Sequence, residues 1–431
     1  MLDLNLVRNQ TEEVRRALAS RQAEDPLDRI LELDAQRRSL LGEVEGLRAR
    51  RNTVSKEIAR MPDASARQEK IAEMKSVGDR IGSVDTRVRQ TEEELNRLLG
   101  SLPNLPDPRT PIGKDEGENV VVRYEGEPRQ FPFPMKPHWD LGPQLGILNF
   151  EQGARMTGSR FYVLHGAGAR LQRALIAWML ELHTQQGYQE AYPPFLVRSQ
   201  ALFAAGQLPK FADNLYHDAE EDLWLVPTAE VPLTNLHADE ILEADVLPLW
   251  YAAYTPCFRR EKMAAGRDVR GIKRGHQFDK VEMYKFCTPQ TSEDELERML
   301  ADAEQTCHLL GLAYRIKIQC TGDLGFSAQR TYDVEVWAPG CEEWLEVSSV
   351  SNCGDFQARR ANIRYRPGRG SHPEFVHTLN GSGLGLPRTL IAVLENGQTP
   401  EGTVRIPQVL LPWMGGIEEI APIQKPTRPT A

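Results

Sequence analysis

Apolar residues recur at alternating steps of three and four over two long stretches near the start of the chain, and this spacing limits the possible folds most strongly. It is typical of the narrow apolar seam of a two-stranded coiled coil. Pro62 and Asp63 stand between the stretches, where they can end one helix and help to start the next. We therefore predict an antiparallel helical hairpin over about residues 27–100, with helices of ~34 residues that are each on the order of 50 Å long. The predicted seam positions are Ile30, Leu33, Arg37, Leu40, Val44, Leu47, Arg51, Val54, Ile58 and Met61 in the first helix, and Met74, Val77, Ile81, Val84, Val88, Thr91, Leu95 and Leu98 in the second.

The chain changes character after this hairpin. A hairpin has too little core to be a globular domain, so residues 1–100 are expected to project as an arm. Residues 101–115 are rich in proline and predict an extended linker. Over residues 116–421, strand-like runs alternate with helical stretches, which predicts an α+β domain with an antiparallel sheet flanked by helices. Residues 422–431 predict a flexible tail. The predicted helices of the α+β domain include Leu171–Gln186 and Ser292–Leu310, and its predicted strands are Glu221–Val226, Tyr251–Arg259, Gln277–Phe286, Tyr314–Gln319, Tyr332–Trp337 and Trp344–Val350.

Composition narrows the function classes. With 26% charged and 40% hydrophobic residues, the chain of 431 residues is typical of an ordinary globular protein. It contains no apolar run near the roughly 20 residues of a membrane-spanning helix, and its start does not resemble a secretory signal. The six cysteines are widely spaced and form no CxxC pair, so neither zinc nor a redox motif is expected. We expect a cytoplasmic protein with reduced cysteines and no membrane partner.

The distribution of charge bears on nucleic-acid binding. The formal net charge of −9 argues against general affinity for DNA or RNA. Residues 27–100, however, carry 15 basic and 14 acidic side chains, and clustered cations can bind RNA locally. Five of these basic residues cluster toward the distal half of the first predicted helix. The cluster is compatible with RNA contact, with a solvated helix face or with a dimerisation coil. Its cations are Arg48, Arg50, Arg51, Lys56 and Arg60.

A basic loop between two strand-like segments, Phe258 to Glu282, carries the strongest chemical signal. Glu261 ends the first flanking segment and Glu282 ends the second, which also contains Phe278. Guanidinium groups, a ring face and carboxylates are the groups needed to hold a polyanion, an aromatic base and an amine together. The alternative is a charged hairpin on the protein surface. The cations of the loop are Lys262, Arg267, Arg270, Lys273 and Arg274.

Several common nucleotide-binding and metal-binding patterns are missing from the sequence. It has no G-x-x-x-x-G-K-[ST] loop and no H-E-x-x-H segment. The glycines of Gly381–Gly385 follow no clear strand with a later ribose-binding acid, so a Rossmann site is rejected.

Three segments, in this order, resemble the signatures of class II aminoacyl-tRNA synthetases. Gly187–Pro194 resembles motif 1, a helix-to-strand junction that forms the dimer interface in that family. Phe258–Glu282 resembles motif 2. Gly381–Arg388, followed by the apolar helix Thr389–Asn396, resembles motif 3.

Further segments resemble seryl-tRNA synthetases in particular, and the likeness extends over essentially the whole chain. They are Val226–Glu230, Glu346–Cys353, Asp355–Arg360 and His377–Ser382. The N-terminal hairpin is similar to the tRNA-binding arm of that family. Pro387 is a departure, because many relatives have glycine just before the motif 3 arginine.

The resemblance implies a two-step reaction. Serine and ATP give seryl-adenylate and pyrophosphate, and the seryl group then passes to the 3′ end of tRNA(Ser), and of tRNA(Sec) where the host has one. It further implies Mg²⁺ bound with ATP and a homodimer. Positioning and charge stabilisation at phosphorus would supply most of the rate.

The resemblance also implies the role of each site residue. Arg259 would grip the α-phosphate and the serine carboxylate, Glu261 the adenine amino group, and Phe278 the adenine ring. Arg267 and Arg270 would fold over the pyrophosphate or the tRNA end. The implied catalytic residues are Arg259, Glu282 and Arg388. Serine would contact Thr228, Ala229, Glu230, Arg259, Glu282, Asn380 and Ser382. ATP would contact Arg259, Arg260, Glu261, Phe278, Glu346, Val347, Ser348, Ser349 and Arg388, and Mg²⁺ would be held by Glu346 and Ser349.

Two alternatives share this fold. A paralogue could pass the activated serine to a carrier protein, but such relatives lack the long arm that residues 27–100 predict. A non-catalytic RNA-binding protein would be signalled by loss of Arg259, Glu282 or Arg388, and all three are present.

Overall fold

The structure, a computed structural model, describes residues 1–262, 266 and 270–422. It divides into two compact units, Met1–Pro103 and Asn104–Ala431. Arg267 of the basic loop and residues 423–431 of the predicted tail lie outside the described residues. In the part of the chain that is described, no helix has both the length and the apolar character needed to span a bilayer.

The secondary structure alternates as predicted after a purely helical start. The α-helices of the described residues are α1 (Leu4–Asn9), α2 (Thr11–Ser20), α3 (Leu27–Ile58), α4 (Ala64–Ser101), α5 (His138–Gln144), α6 (Phe150–Thr157), α7 (Gly166–Gln185), α8 (Ser199–Ala204), α9 (Glu230–Thr234), α10 (Ser292–Leu309), α11 (Phe356–Ala361) and α12 (Leu386–Asn396). The strands are β1 (Val120–Glu125), β2 (Leu148–Asn149), β3 (Val163–Leu164), β4 (Gln189–Glu190), β5 (Leu196–Val197), β6 (Trp224–Leu225), β7 (Ile241–Glu243), β8 (Leu249–Phe258), β9 (Gln277–Cys287), β10 (Tyr314–Ile318), β11 (Arg330–Ala338), β12 (Glu343–Gly354), β13 (Arg364–Arg366), β14 (Glu374–Phe375), β15 (His377–Gly385), β16 (Val404–Arg405) and β17 (Glu419–Ile420).

Helices α3 and α4 form the predicted coiled-coil arm. Asp63 caps α4, because its side chain accepts a hydrogen bond from the Ser65 backbone N–H. The seam prediction needs correction at two places. Leu99 is buried where Leu98 was predicted, and Arg51 is exposed. The buried seam residues form two clusters, one of Leu40, Val44, Val84 and Val88, and the other of Val54, Met74, Val77 and Ile81.

Ion pairs across the seam establish that the two helices are antiparallel. Arg29, near the start of α3, pairs with Glu94, near the end of α4. Arg50, further along α3, pairs with Glu73, which is nearer the start of α4. These pairs are exposed, so each adds little stability, at most about 1 kcal/mol. Two cations of the basic cluster are engaged in such ion pairs: Arg48 pairs with Asp85 at 2.9 Å and Arg50 with Glu73 at 2.5 Å.

The second unit is built on an eight-stranded sheet in the order β1-β10-β11-β12-β15-β9-β8-β4. All its neighbouring strands are antiparallel except the edge pair β4 and β8, which is parallel. The predicted antiparallel α+β fold is therefore confirmed, with this one parallel edge. The predicted strand Glu221–Val226 is much shorter than expected, since only Trp224–Leu225 is extended as β6.

Alternation along β9 separates the core from the site. Val281 and Met283 are fully buried in the main core, together with residues of α7, α10 and α12. Lys280 and Glu282 occupy the intervening positions, so they project from the opposite face of the sheet. Further along the same face, Tyr284 and Phe286 pack in a second apolar cluster with residues of α9 and α11. The polar site therefore occupies only the part of this face near Lys280 and Glu282.

Much of the predicted linker is attached to the second unit. Helix α4 continues to Ser101, and the unit boundary falls between Pro103 and Asn104. The Asn104 side-chain amide donates to the carbonyls of Ser327 and Cys353, both at 2.8 Å. These bonds mean that the chain from Asn104 onward is anchored rather than extended in solvent.

Candidate active site

A cavity of about 580 Å³ opens over the polar face of the central strands. It brings together residues from α9, β9, β12, β15 and the start of α12, with Arg259 directly after β8, and these are widely separated in the sequence. The predicted site residues that line it are Glu230, Arg259, Glu261, Phe278, Glu282, Glu346, Val347, Ser349, Asn380, Ser382 and Arg388.

Five other predicted residues are not among those that line the cavity, and one of them, Arg270, is exposed. Thr228 and Ala229 are buried behind Glu230, and the Thr228 hydroxyl accepts a hydrogen bond from the Glu230 backbone N–H at 3.2 Å. Ser348 is also buried, and its hydroxyl donates to the Ser382 carbonyl at 2.6 Å. Arg260 is exposed, with its guanidinium 5.8 Å from the centre of the Tyr216 ring.

Strand register places the polar residues side by side. Glu282 of β9 is directly opposite Ser382 of β15, and Tyr284 is opposite Asn380. Directly opposed residues of an antiparallel pair share one face of the sheet. Close packing behind β15 needs a residue without a side chain, since a Cβ on Gly383 would lie 2.1 Å from the His183 ring nitrogen Nε2.

Two carboxylates occupy one part of the cavity. Glu282 is 1% exposed, and the Lys280 ammonium lies 2.5 Å from its Oε2. No donor among the described residues meets that oxygen with hydrogen-bond geometry. Burial, and next the nearby Glu282 carboxylate, raise the pKa of Glu230 to about 7. This part of the cavity therefore favours a ligand that brings positive charge and hydrogen-bond donors.

Arg259 stands where β8 ends, between the two groups of acids. Its guanidinium lies 5.0 Å from the centre of the Phe278 ring, and its Nε donates to the Pro227 carbonyl at 3.3 Å. It is near enough to favour the ionised form of both Glu230 and Glu346. A planar, permanently charged donor in that place is suited to bind phosphate or carboxylate oxygens.

Glu261 carries backbone strain at the mouth of the basic loop. Its φ of +50° is in the left-handed region, which side chains with a Cβ rarely adopt. Its carboxylate lies 3.8 Å from Arg274 Nη1, and both residues line the cavity. The strained backbone aims this carboxylate into the cavity.

Oxygen donors and a second arginine form the other part of the cavity. The Ser349 hydroxyl lies 2.7 Å from Asp333 Oδ1 and 3.1 Å from Glu346 Oε1. Arg388 donates to the Glu346 carbonyl at 2.7 Å. The cavity opening leaves 46% of the Glu346 side chain accessible. Burial opposes the Glu346 charge, but Arg388 and the Ser349 hydroxyl outweigh it and lower the pKa of Glu346. Burial and the Glu346 carboxylate raise the pKa of Asp333.

Helix α12 begins directly after the last of the motif 3 glycines, Gly385. Pro387 is in the first turn of α12, where no backbone N–H is needed for helix hydrogen bonds. Arg388 is the next residue, and its side chain is 21% exposed. The departure noted at Pro387 therefore costs the helix no hydrogen bond and keeps Arg388 at the cavity wall.

A separate buried group of His138, Cys341 and Glu395 has the spacing of metal ligands, with all ligand atoms within 4.8 Å. Its hydrogen bonds favour another role. The Ile272 backbone N–H donates to His138 Nε2 at 3.1 Å, so the ring proton is on Nδ1 and is directed at Glu395, 3.0 Å away. The thiol of Cys341 also donates to Glu395. These bonds join the chain at Ile272, next to Lys273 and Arg274, to α12.

One cavity residue, Lys280, and two residues that contact site side chains, Asp333 and Gln357, were not predicted from the sequence as site residues. Lys280 stands two positions before Glu282 on the same strand face, and this alternation was a usable signal. Asp333 gave no signal, because it belongs to a segment without any recognised motif. Gln357 was noted only as part of Asp355–Arg360, although its amide donates to Glu230 Oε1 at 2.6 Å.

Comparison with known families gives the class of this fold and site. Residues 211–397 match the family model described as the tRNA synthetase class II core domain (G, H, P, S and T). The sheet and its cavity are therefore those of a class II aminoacyl-tRNA synthetase core. Residues 1–106 match a second model, the seryl-tRNA synthetase N-terminal domain. The chain belongs to the seryl-tRNA synthetase family, which confirms the predicted fold and arm.

Relatives of full length agree with both models. A protein of Roseiflexus sp. (strain RS-1) named serine–tRNA ligase is 65% identical over 422 residues, which cover 97% of this chain and 99% of that protein. A protein of the same name from Chloroflexus aurantiacus is 58% identical and covers 98% of this chain and 100% of its own length. The crystal structure of seryl-tRNA synthetase from Pyrococcus horikoshii complexed with ATP has a TM-score of 0.92 and 38% identity, and it covers 98% of this chain and 100% of that one.

Proposed function

We propose that this chain activates L-serine with ATP to give seryl-adenylate and pyrophosphate, and then transfers serine to the 3′ end of tRNA(Ser). The observation that carries the proposal is the place of Arg259. It lines the same cavity as Glu282 and Arg388, and its charge acts on both Glu230 and Glu346. The reacting groups of this chemistry, an amino acid carboxylate and an α-phosphate, need one bidentate cation between an amine site and a triphosphate site.

Serine would occupy the acidic part of the cavity. Its ammonium would approach Glu282, whose Oε2 lacks a well-directed donor among the described residues. Its hydroxyl would meet Glu230, with Asn380 and Ser382 beside it. Alanine lacks the hydroxyl, so the buried polar groups that bind it would have no hydrogen-bond partner. The pocket would therefore reject alanine strongly. Thr228 and Ala229 would act from behind, by holding the first turn of α9 that presents Glu230.

ATP would occupy the remaining cavity. The adenine would stack on Phe278, and its amino group would donate to Glu261. Arg259 would bind the α-phosphate, and Arg388 the γ-phosphate. Ser348 and Val347 would shape the wall through the backbone of β12, and Arg260 would act at the cavity rim. With the carboxylate of serine held next to the α-phosphate, attack forms the new C–O–P bond and pyrophosphate leaves.

The oxygen donors of Glu346 and Ser349 suit Mg²⁺, a hard cation that prefers such ligands. Asp333 accepts the hydrogen bond of the Ser349 hydroxyl at 2.7 Å, which would leave the lone pairs of the hydroxyl oxygen free for the ion. The ion would supply neutralisation of phosphate charge during activation. These residues therefore fit the metal that the family implies.

The arm offers cations for tRNA. Arg51, Lys56 and Arg60 have no ion-pair partner among the described residues, whereas Arg48 and Arg50 are engaged by Asp85 and Glu73. We propose that the three unengaged cations contact the tRNA(Ser) backbone, and that of tRNA(Sec) where the host has one.

We further propose a homodimer in the cytoplasm. Tyr192, at the end of the motif 1 segment, is 80% exposed, and Leu196 is 50% exposed. A second copy would cover these apolar side chains. All six cysteines are free thiols, which fits a reducing compartment.

The test is ATP–pyrophosphate exchange, measured without tRNA and with each of the amino acids in turn. We expect exchange with serine in the presence of Mg²⁺, and far less with alanine or threonine. Arg259→Ala should abolish it with the fold intact. Arg129→Ala is a matched control, since Arg129 also stacks on a phenylalanine, 4.9 Å from the Phe131 ring centre, outside the cavity. No exchange with serine, ATP and Mg²⁺ would contradict the proposal.

A further inference from the structure

Gln357 is a fully buried glutamine whose side chain ends at the cavity acid Glu230. Both ends of its amide are engaged. The NH₂ group donates to Glu230 Oε1 at 2.6 Å and to the Ala205 carbonyl at 3.1 Å. The carbonyl oxygen Oε1 accepts from the Tyr284 hydroxyl at 2.9 Å and from the Thr378 hydroxyl at 2.7 Å.

These partners decide which way the amide points. An amide can exchange its oxygen and nitrogen by rotation, but a rotated Gln357 would lose both hydroxyl donors. It would also place its oxygen against the Ala205 carbonyl and the Glu230 carboxylate. Tyr284 in turn accepts a hydrogen bond from the Thr234 hydroxyl at 2.9 Å. The Ala205 carbonyl can only accept, so it requires the NH₂ group on the side of Glu230, and the two hydroxyls then hold the oxygen end.

A fixed donor has two consequences for Glu230. It occupies Oε1, so Oε2 is the oxygen that remains for a ligand. It also rewards the ionised carboxylate, because a hydrogen bond to a charged acceptor is stronger than one to a neutral acid. The groups that otherwise face Glu230 are the Glu282 carboxylate, which disfavours its charge, and the cations Lys280 and Arg259, which favour it.

We propose that Gln357 is a positioning residue for serine recognition: its locked amide holds Glu230 ionised and directs one of its oxygens to the substrate. This rests on the proposed function, and it concerns a residue that touches neither serine nor ATP. The contribution should therefore be seen in the KM for serine and not in the KM for ATP.

The test is Gln357→Glu in the full chain, assayed by serine-dependent ATP–pyrophosphate exchange across a pH series. A glutamate there keeps an acceptor for the two hydroxyls, and when protonated it can still donate to Glu230. When ionised it cannot donate, and it repels the charge of Glu230. We expect serine kcat/KM to fall on the order of 10- to 100-fold at the alkaline end of the series, and much less at the acidic end.

Gln319→Glu is the matched control. Its side chain also donates to a buried carboxylate, with Nε2 at 3.0 Å from both oxygens of Asp333, on the side of the cavity that we assign to ATP and Mg²⁺. The same amide-to-acid change should raise the KM for ATP there and leave the KM for serine unchanged. Thermal unfolding of both variants checks that the sheet is intact.

Thr378→Val tests the lock itself, and it decides the question if Gln357→Glu does not fold. It removes one hydroxyl donor with almost no change in shape, so the amide is held less firmly. We expect the KM for serine to rise about 2- to 10-fold with the KM for ATP unchanged. An unchanged KM for serine in a folded Gln357→Glu or Thr378→Val variant overturns the inference. A wild-type chain without serine-dependent exchange contradicts the proposed function instead.

Discussion

Replacing Glu282 by Gln removes one charge from a buried pair and should separate a stability effect from a binding effect. The Lys280 ammonium lies 2.5 Å from Glu282 Oε2, and the two side chains are 11% and 1% exposed. At an effective dielectric constant of ~20, the direct attraction at that distance is about 7 kcal/mol, but the loss of hydration offsets much of it. Breaking a buried pair costs about 3–5 kcal/mol, because the remaining charge is uncompensated. We expect the lower end of that range, since Glu230 also faces Lys280.

Two assays measure the two effects. Urea unfolding gives the change in free energy from the midpoint and slope. Pyrophosphate exchange gives the KM for serine, which should rise on the order of 10- to 100-fold because the ammonium loses a charged partner. The double variant Lys280→Met, Glu282→Gln has no stranded charge. It should recover stability to within about 1 kcal/mol of wild type, while the KM for serine stays high. A double variant as unstable as Glu282→Gln, or one with a restored KM for serine, would refute the reasoning.

Other predictions concern ATP, the metal, the arm and its cap. Phe278→Ala should raise the KM for ATP roughly 5- to 100-fold, because stacking of a base on an aromatic ring contributes about 1–3 kcal/mol, whereas Phe278→Tyr should stay near wild type. Chelation of divalent ions should stop exchange, and Glu346→Gln should increase the Mg²⁺ concentration that gives half-maximal rate. Deletion of residues 27–100 should spare exchange and abolish charging of tRNA(Ser); efficient charging by that variant would refute the role of the arm. Asp63→Ala should destabilise the hairpin by about 1 kcal/mol, seen as a lower midpoint of helix melting by circular dichroism.

Local pattern was enough for the elements with strong periodicity. The heptads predicted two helices with apolar seams, and the short break at Pro62 and Asp63 predicted that one folds back on the other. The long strands β8 and β9 were also predicted nearly to the residue, because their flanking turns and alternation are marked. The short strand β6 was overextended, since its burial depends on pairing with β5 rather than on its own sequence.

The linker marks a limit of composition. Proline-rich sequence predicts an extended backbone, and it does not say what the backbone will contact. Asn104 donates to two carbonyls that come more than two hundred residues later, so its anchoring depends on the finished second unit.

For the site, the sequence by itself determined the family and the candidate site residues: the arginines, the acids and Phe278 are recognisable because each belongs to a short segment of fixed spacing. Only the tertiary structure decided how they are supported. Asp333 beside Ser349 and Gln357 beside Glu230 are contacts between different strands and helices. Lys280 and Glu282 are on one strand, but only the folded sheet buries them together. The physical reason is that a buried charge depends on the groups that surround it in space, and the order of residues along the chain does not say which groups those are.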